Sequence, residues 1–185
     1  MITRYSELLD EVLKSDPARV AVAAAQDDAV LQACREAFER GLATFTLFGD
    51  MAKIEAVAQK AGVCLDGMKI VNEPDDMRSA MQAVECVSAG NADIVMKGLI
   101  NTGDLLRAVL DKNVGLRTGR VLSHLAVFEL NGFDRLIGVT DGGMNIVPTL
   151  AQKADIIQNA AEVFHKLGVD PVKVAVLAAV ETVNA

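Results

Sequence analysis

Short continuous apolar runs alternate along this chain with longer segments of helical period. Tyr5, Leu8, Leu9, Val12 and Leu13 fall at helical spacing, which predicts an amphipathic helix over residues 3–15. Residues 19–25 (RVAVAAA) form an unbroken apolar run, the pattern of a parallel strand buried on both faces. A helix follows from Gln26-Asp27-Asp28 to about Arg40, and Gly41 ends it. Residues 44–48 (TFTLF) predict the second strand, and Asp50 caps a helix over 51–61. Residues 69–71 predict a third strand. Pro74 and Asp75 open a helix to about Ala89, with Gly90 just beyond. Residues 93–97 predict a fourth strand, and Thr102 is placed to cap a helix to about Leu110.

Strict strand-then-helix order implies parallel strands joined by crossovers, with helices on both faces. The rhythm changes after residue 120. The apolar segments 121–130 and 135–139 are separated only by Asn131-Gly132-Phe133-Asp134, enough for a hairpin but not a crossover. One antiparallel strand in a mostly parallel sheet is therefore expected. Residues 150–167 predict a long helix, broken by Gly168, Asp170 and Pro171. Residues 173–180 (KVAVLAAV) predict another buried strand, with no following helix to cover it. The expected class is a three-layer α/β/α fold with a mostly parallel sheet. Gly, Asn and Pro cluster over 142–149, so a first domain is expected over 1–141, with 142–185 beginning an incomplete second one.

Composition narrows the function classes. Half of the 185 residues are hydrophobic and only 4% aromatic, so the core must be aliphatic. The net charge is -7, which disfavours nucleic acid and anionic lipid as general partners. Cys34, Cys64 and Cys86 are widely spaced and form no pattern with His124 and His165, so no metal site is expected. Residues 1–16 lack the layout of a signal peptide, and no apolar run is long enough for a membrane helix. A cytoplasmic location is expected.

Four places carry candidate chemistry. Residues 96–104 (MKGLINTGD) stand where a strand passes into a helix, the edge at which open α/β sheets bind ligands. Gly98 and Gly103 allow close backbone approach, Thr102 offers a hydroxyl, Lys97 a positive charge, and free helix amides attract anions. An ordinary turn with a Thr cap would look the same. Residues 97–120 hold five cations against two anions, a basic segment on an acidic chain. It reads equally as a solvated helix face. Ser123 and His124 are adjacent in a segment read as strand, so they point to opposite faces and cannot act as nucleophile and touching base. Asp141 to Pro148, with Gly142, Gly143 and Asn145, suits a cleft-lining loop or a self-bonded turn. Glu181 and Asn184 follow the last predicted strand and carry the same ambiguity.

Taken together, MKGLINTGDLLRAVL, GLRTGRVLSHLAVFEL, FDRLIGVTDGGMNIVPTL and VAVLAAVETVN resemble the phosphate butyryl/acetyltransferase family. The resemblance runs from about Arg19 to Ala185, in four segments in the right order. It implies two domains of the isocitrate/isopropylmalate dehydrogenase-like kind with a cleft between them, and a homo-oligomer. It implies transfer of an acyl group between coenzyme A and inorganic phosphate, with coenzyme A as substrate, no tightly bound cofactor, no metal and no covalent enzyme intermediate. The family's T-x-D-x-x-R stretch corresponds to Thr102, Asp104 and Arg107, and its D-x-x-x-N-x-x-P loop to Asp141, Asn145 and Pro148. Thr102, Arg107, Ser123 and Asp141 are the catalytic candidates that follow. Lys97, Gly98, Gly103, Asn145, Glu181 and Asn184 are the substrate-binding ones. The family also has a C-terminal segment with a Ser-Arg pair and an Asp that this chain lacks, so a truncated and inactive piece is expected. Two alternatives stand beside this reading. One is a related enzyme with another carrier or an NAD-linked acid, although no glycine fingerprint follows the first strand. The other is a non-catalytic ligand-binding module.

Overall fold

Capping residues and glycines set most element boundaries where the sequence places them. The computed structural model describes residues 1–177. In chain order the elements are α1 (Tyr5–Val12), β1 (Ala18–Ala23), α2 (Asp28–Glu39), β2 (Ala43–Gly49), α3 (Met51–Ala61), β3 (Lys69–Asn72), α4 (Asp76–Ser88), β4 (Ile94–Lys97), α5 (Thr102–Val109), β5 (Ala126–Glu129), β6 (Leu136–Val139) and α6 (Leu150–Lys166). Asp27, Asp50 and Asp75 each accept an amide hydrogen bond at the start of α2, α3 and α4. Gly62 ends α3 in the left-handed region, at φ 68°, which costs glycine little.

The described chain divides into two compact units, Val12–Thr118 and Met1–Glu11 with the chain from Gly119 onward. In the first unit β1 to β4 form a parallel sheet in the order β3-β2-β1-β4. Side chains alternate across a strand, and β1 uses that alternation to build two different cores. Val20 and Val22 join Phe45 and Leu47 of β2, Leu31 and Cys34 of α2, and Ile54 and Ala58 of α3. Ala21 and Ala23 join Phe48 of β2, Ala80, Ala83 and Val84 of α4, and Ala108 of α5. The second layer is built of small residues, so α4 and β1 approach closely. Burying Leu31, Leu47 or Ile54 fully contributes about 1.5–3 kcal/mol each. The unit is thus α/β with helices on both faces of a parallel sheet.

The second unit contains a β5-β6 antiparallel hairpin and α6. Thr149 caps α6 in a full capping box with Gln152. Tyr5 of α1 donates its hydroxyl hydrogen to the Val127 carbonyl of β5, and its amide to Glu129 at 2.8 Å.

Several expectations need correction. The hairpin forms its own two-stranded sheet, so the four-stranded sheet contains no antiparallel strand. Residues 121–125 are not strand, because side chains of the same unit take their backbone hydrogen bonds. The first helix is shorter than 3–15: Pro17 disfavours helical geometry at Asp16, and the chain unwinds after Val12. Asn101, not Thr102, occupies the cap position of α5, and its side chain makes no capping bond. Residues 173–177 carry no strand, and the rest of the expected strand over 173–180 lies outside the described residues.

Candidate active site

In the unit Val12–Thr118, the carboxyl ends of β1 and β4 bring the first group of candidates together. Gly98 and Leu99 follow β4 and donate their amides to Ala23 and Ala24 at 2.8 and 2.7 Å. Ala24 is fully buried at φ 51°, a conformation that costs a non-glycine residue about 1–2 kcal/mol. The buried Ser79 hydroxyl holds it by accepting its amide at 2.8 Å. Gly98 is required by sterics. A Cβ there would sit 2.2 Å from the Ala24 carbonyl oxygen and 2.6 Å from that of Ala23. The glycine is thus needed for packing against β1. Gly103 differs, for nothing lies within 4 Å of a Cβ at that position.

Lys97 turns inward on its own loop. Its ammonium donates to the carbonyls of Gly98 at 3.2 Å and Ile100 at 2.9 Å. A cavity of about 360 Å³ opens here, lined by Asp27, Asp76, Met77, Lys97, Gly98, Leu99, Ile100, Asn101 and Asp104. Three carboxylates against one ammonium make this cavity acidic, and neither Thr102 nor Arg107 lines it. The start of α5 borders this cavity through Asn101 and Asp104. There the amides of Thr102 and Gly103 have no acceptor among the described residues. Arg107 donates to Asp104 at 2.6 Å, and its side chain is 72% exposed. The guanidinium has five N–H groups, so most remain available to an anion.

The unit beginning again at Gly119 holds the second group. Asp141 accepts from the amides of His124 at 3.2 Å, Met144 at 3.3 Å and Asn145 at 3.0 Å, and from the Asn145 side chain. Burial would raise the Asp141 pKa, but the Asn145 side chain and these three amides outweigh it and hold it below the usual carboxylate value. Both Asp141 oxygens therefore organise the loop. Asn145 also donates to the Leu122 carbonyl at 2.9 Å, and Thr140 donates to that of His124 at 2.6 Å. Glu181 and Asn184 lie outside the described residues.

Sequence reasoning missed the polar stripe of α6. Asp155 accepts the Val121 amide at 3.1 Å. Asn159 donates to the Val121 carbonyl at 2.9 Å and to the Ser123 hydroxyl at 3.0 Å. Glu162 takes both terminal nitrogens of Arg120, at 2.8 and 2.9 Å. These residues fall at positions i, i+4 and i+7, one helix face, so polar side chains at core spacing in 150–167 were the available signal. Arg120, and then Gln158, hold the Glu162 carboxyl down at about 2. Its stabilising effect should be complete above pH 4.5 and be lost as pH falls from there through about 2. A carboxyl-carbon NMR titration should show that low midpoint, and Arg120→Gln should return it toward 4.5. An unshifted midpoint in the unsubstituted chain would contradict the pairing.

Among the described residues, no group of three or more His, Cys, Asp or Glu could hold a metal ion, and no helix is long and apolar enough to cross a membrane. A family model described as phosphate acetyl/butaryl transferase matches residues 5–81 and 76–185. Phosphate butyryltransferase of Clostridium acetobutylicum is 47% identical over 184 residues, covering 100% of this chain and 61% of that protein. Phosphate acetyltransferase of Thermotoga maritima is 37% identical over 180 residues, with 97% and 61% covered. The crystal structure of a branched-chain phosphotransacylase from Enterococcus faecalis V583 superposes with a TM-score of 0.75 at 31% identity, over 90% of this chain and 58% of that one. The chain spans about three fifths of the length of these curated relatives. With a match that takes in both units and both groups of candidate residues, the chain belongs to the phosphate acetyl/butaryl transferase family.

Proposed function

We propose that this chain forms part of an acyltransferase that converts butyryl-CoA, or a similar short-chain acyl-CoA, and phosphate into acyl phosphate and coenzyme A. A phosphate oxygen attacks the thioester carbonyl, an oxyanion develops, and the C–S bond breaks to release the thiolate, which takes up a proton. Such a reaction needs positioning and hydrogen-bond donors for two centres of negative charge. The start of α5 carries the reading: unpartnered Thr102 and Gly103 amides stand in the same first turns as Arg107, whose guanidinium is exposed. In this reading Thr102, Gly103 and Arg107 bind phosphate or coenzyme A oxygens, as helix N-termini and arginines do. Lys97 and Gly98 shape the loop that carries them. Ser123 supplies a hydroxyl to substrate, and Asp141 and Asn145 hold the loop beside it.

Coenzyme A is then a substrate and not a resident cofactor. A cytoplasmic homo-oligomer and a fold of the isocitrate/isopropylmalate dehydrogenase-like kind belong to the same proposal; the expected domains over 1–141 and 142–185 give way to a division near residue 118. Amide-detected NMR of the chain during titration with inorganic phosphate, and separately with coenzyme A, tests it. Shifts at Thr102, Gly103 and Arg107 are expected. No shift in α5 at millimolar ligand would contradict the anion site.

A further inference from the structure

The hydrogen bonds around Asn159 define which way the Ser123 hydroxyl faces electrically. One amide nitrogen, Asn159 Nδ2, donates to both the Val121 carbonyl oxygen and Ser123 Oγ. A carbonyl oxygen only accepts, so the NH₂ end of the amide must be the end turned toward this segment. Its second hydrogen then goes to Ser123 Oγ, and the hydroxyl acts as acceptor there. The hydroxyl's own proton is left to donate, and it has no acceptor among the described residues. Asp155, one turn earlier on α6, fixes the Val121 amide, and Glu162 fixes Arg120 beyond it. Three side chains of one rigid helix thus set both the path of residues 120–123 and the polarity of one hydroxyl.

From this geometry we infer that Asn159 is a positioning residue that presents Ser123 as a hydrogen-bond donor to an anionic oxygen of the acyl-transfer reaction. The inference rests on the acyltransferase reading proposed above, with Ser123 at substrate. The hydrogen bond that Asn159 donates to Ser123 Oγ also polarises the hydroxyl, which strengthens the bond the hydroxyl donates in turn. A serine bonded instead to a carboxylate would spend its proton on the protein and offer substrate only lone pairs.

The test is a double-mutant cycle in the protein expressed from its full reading frame. Asn159→Asp keeps the side chain's size but turns it into an acceptor, drawing the Ser123 proton inward. Its kcat/KM with butyryl-CoA and phosphate should fall about tenfold to a hundredfold, the scale of a hydrogen bond to a charged group. In a Ser123→Ala background the same substitution should change kcat/KM by less than about threefold, because the hydroxyl through which it acts is gone. Should Asn159→Asp fold poorly, Asn159→Ala gives a smaller loss that must likewise vanish in the Ser123→Ala background. Melting temperatures of all variants report the separate contribution of the Val121 bond. Equal losses in both backgrounds, with normal turnover in the unsubstituted enzyme, would make Asn159 merely structural and overturn the assignment. Absence of acyl transfer in the unsubstituted enzyme would overturn it together with the acyltransferase reading.

Discussion

Gly98→Ala is expected to destabilise the unit Val12–Thr118 by about 3 kcal/mol and to lower its melting temperature by more than about 10 °C. The new Cβ would meet the Ala23 and Ala24 carbonyl oxygens at 2.6 and 2.2 Å and the Ala24 carbonyl carbon at 2.8 Å. All three are backbone atoms of fully buried residues, so no side chain can swing aside. Relief requires the loop to move off β1. That motion breaks the Gly98 and Leu99 amide bonds to the same carbonyls, each worth about 1 kcal/mol. Overpacking adds about 1–3 kcal/mol of its own. Gly103→Ala is the matched control, since it meets open space and alanine favours a helix by up to about 1 kcal/mol. Thermal melts of the two variants should move in opposite directions. Equal melts would mean that the Gly98 contact is relieved at no cost.

Arg107→Ala should lower kcat/KM for phosphate or coenzyme A by about 1.5–3 kcal/mol, or roughly tenfold to a hundredfold, while leaving the melting temperature nearly unchanged. The stability half of this expectation comes from exposure. Its partner in the fold is Asp104, three residues back on the same helix, and the side chain is 72% exposed. Exposed helix pairs of this kind contribute well under about 1 kcal/mol. The activity half has two sources. Removing the guanidinium takes away a charge-assisted donor, and it leaves Asp104 as an uncompensated anion beside the start of α5. Enzyme kinetics alongside thermal melts separate the two halves. Unchanged Michaelis constants and turnover would reduce Arg107 to a surface cation. Thr102 stands at the first helical position and not at the cap, so Thr102→Val should carry no capping penalty.

Much of this fold is legible in the sequence because local signals agree with tertiary ones. Asp50 caps α3 and Gly62 ends it, and the predicted and observed bounds coincide at 51–61. Residues 19–23 of the run 19–25 lie in β1, the strand that separates two cores, as an unbroken apolar segment should, and the run leaves the strand at Ala24. Legibility fails where backbone groups are satisfied by distant side chains. Residues 121–125 have the hydrophobicity of a strand, yet Asp155, Asn159, Asn145 and Asp141 take their hydrogen bonds, and no ladder forms. The antiparallel pair is illegible for a different reason: hairpin spacing shows which strands pair, not which sheet they join. Within the site, composition suggested a basic patch over 97–120. The structure instead ties Lys97 to carbonyls, Arg107 to Asp104 and Arg120 to Glu162, and the cavity lined by Lys97 is acidic. Pairing of charges is a property of geometry that a count of cations cannot supply.

The proposed activity is tested most directly by following inorganic phosphate and butyryl-CoA by phosphorus NMR, using protein from the full reading frame. Acyl phosphate should appear in step with free thiol, at a rate that saturates with both substrates and falls about tenfold or more in Arg107→Ala. Thioester loss that releases thiol without acyl phosphate, or no reaction at millimolar substrates, would contradict the account.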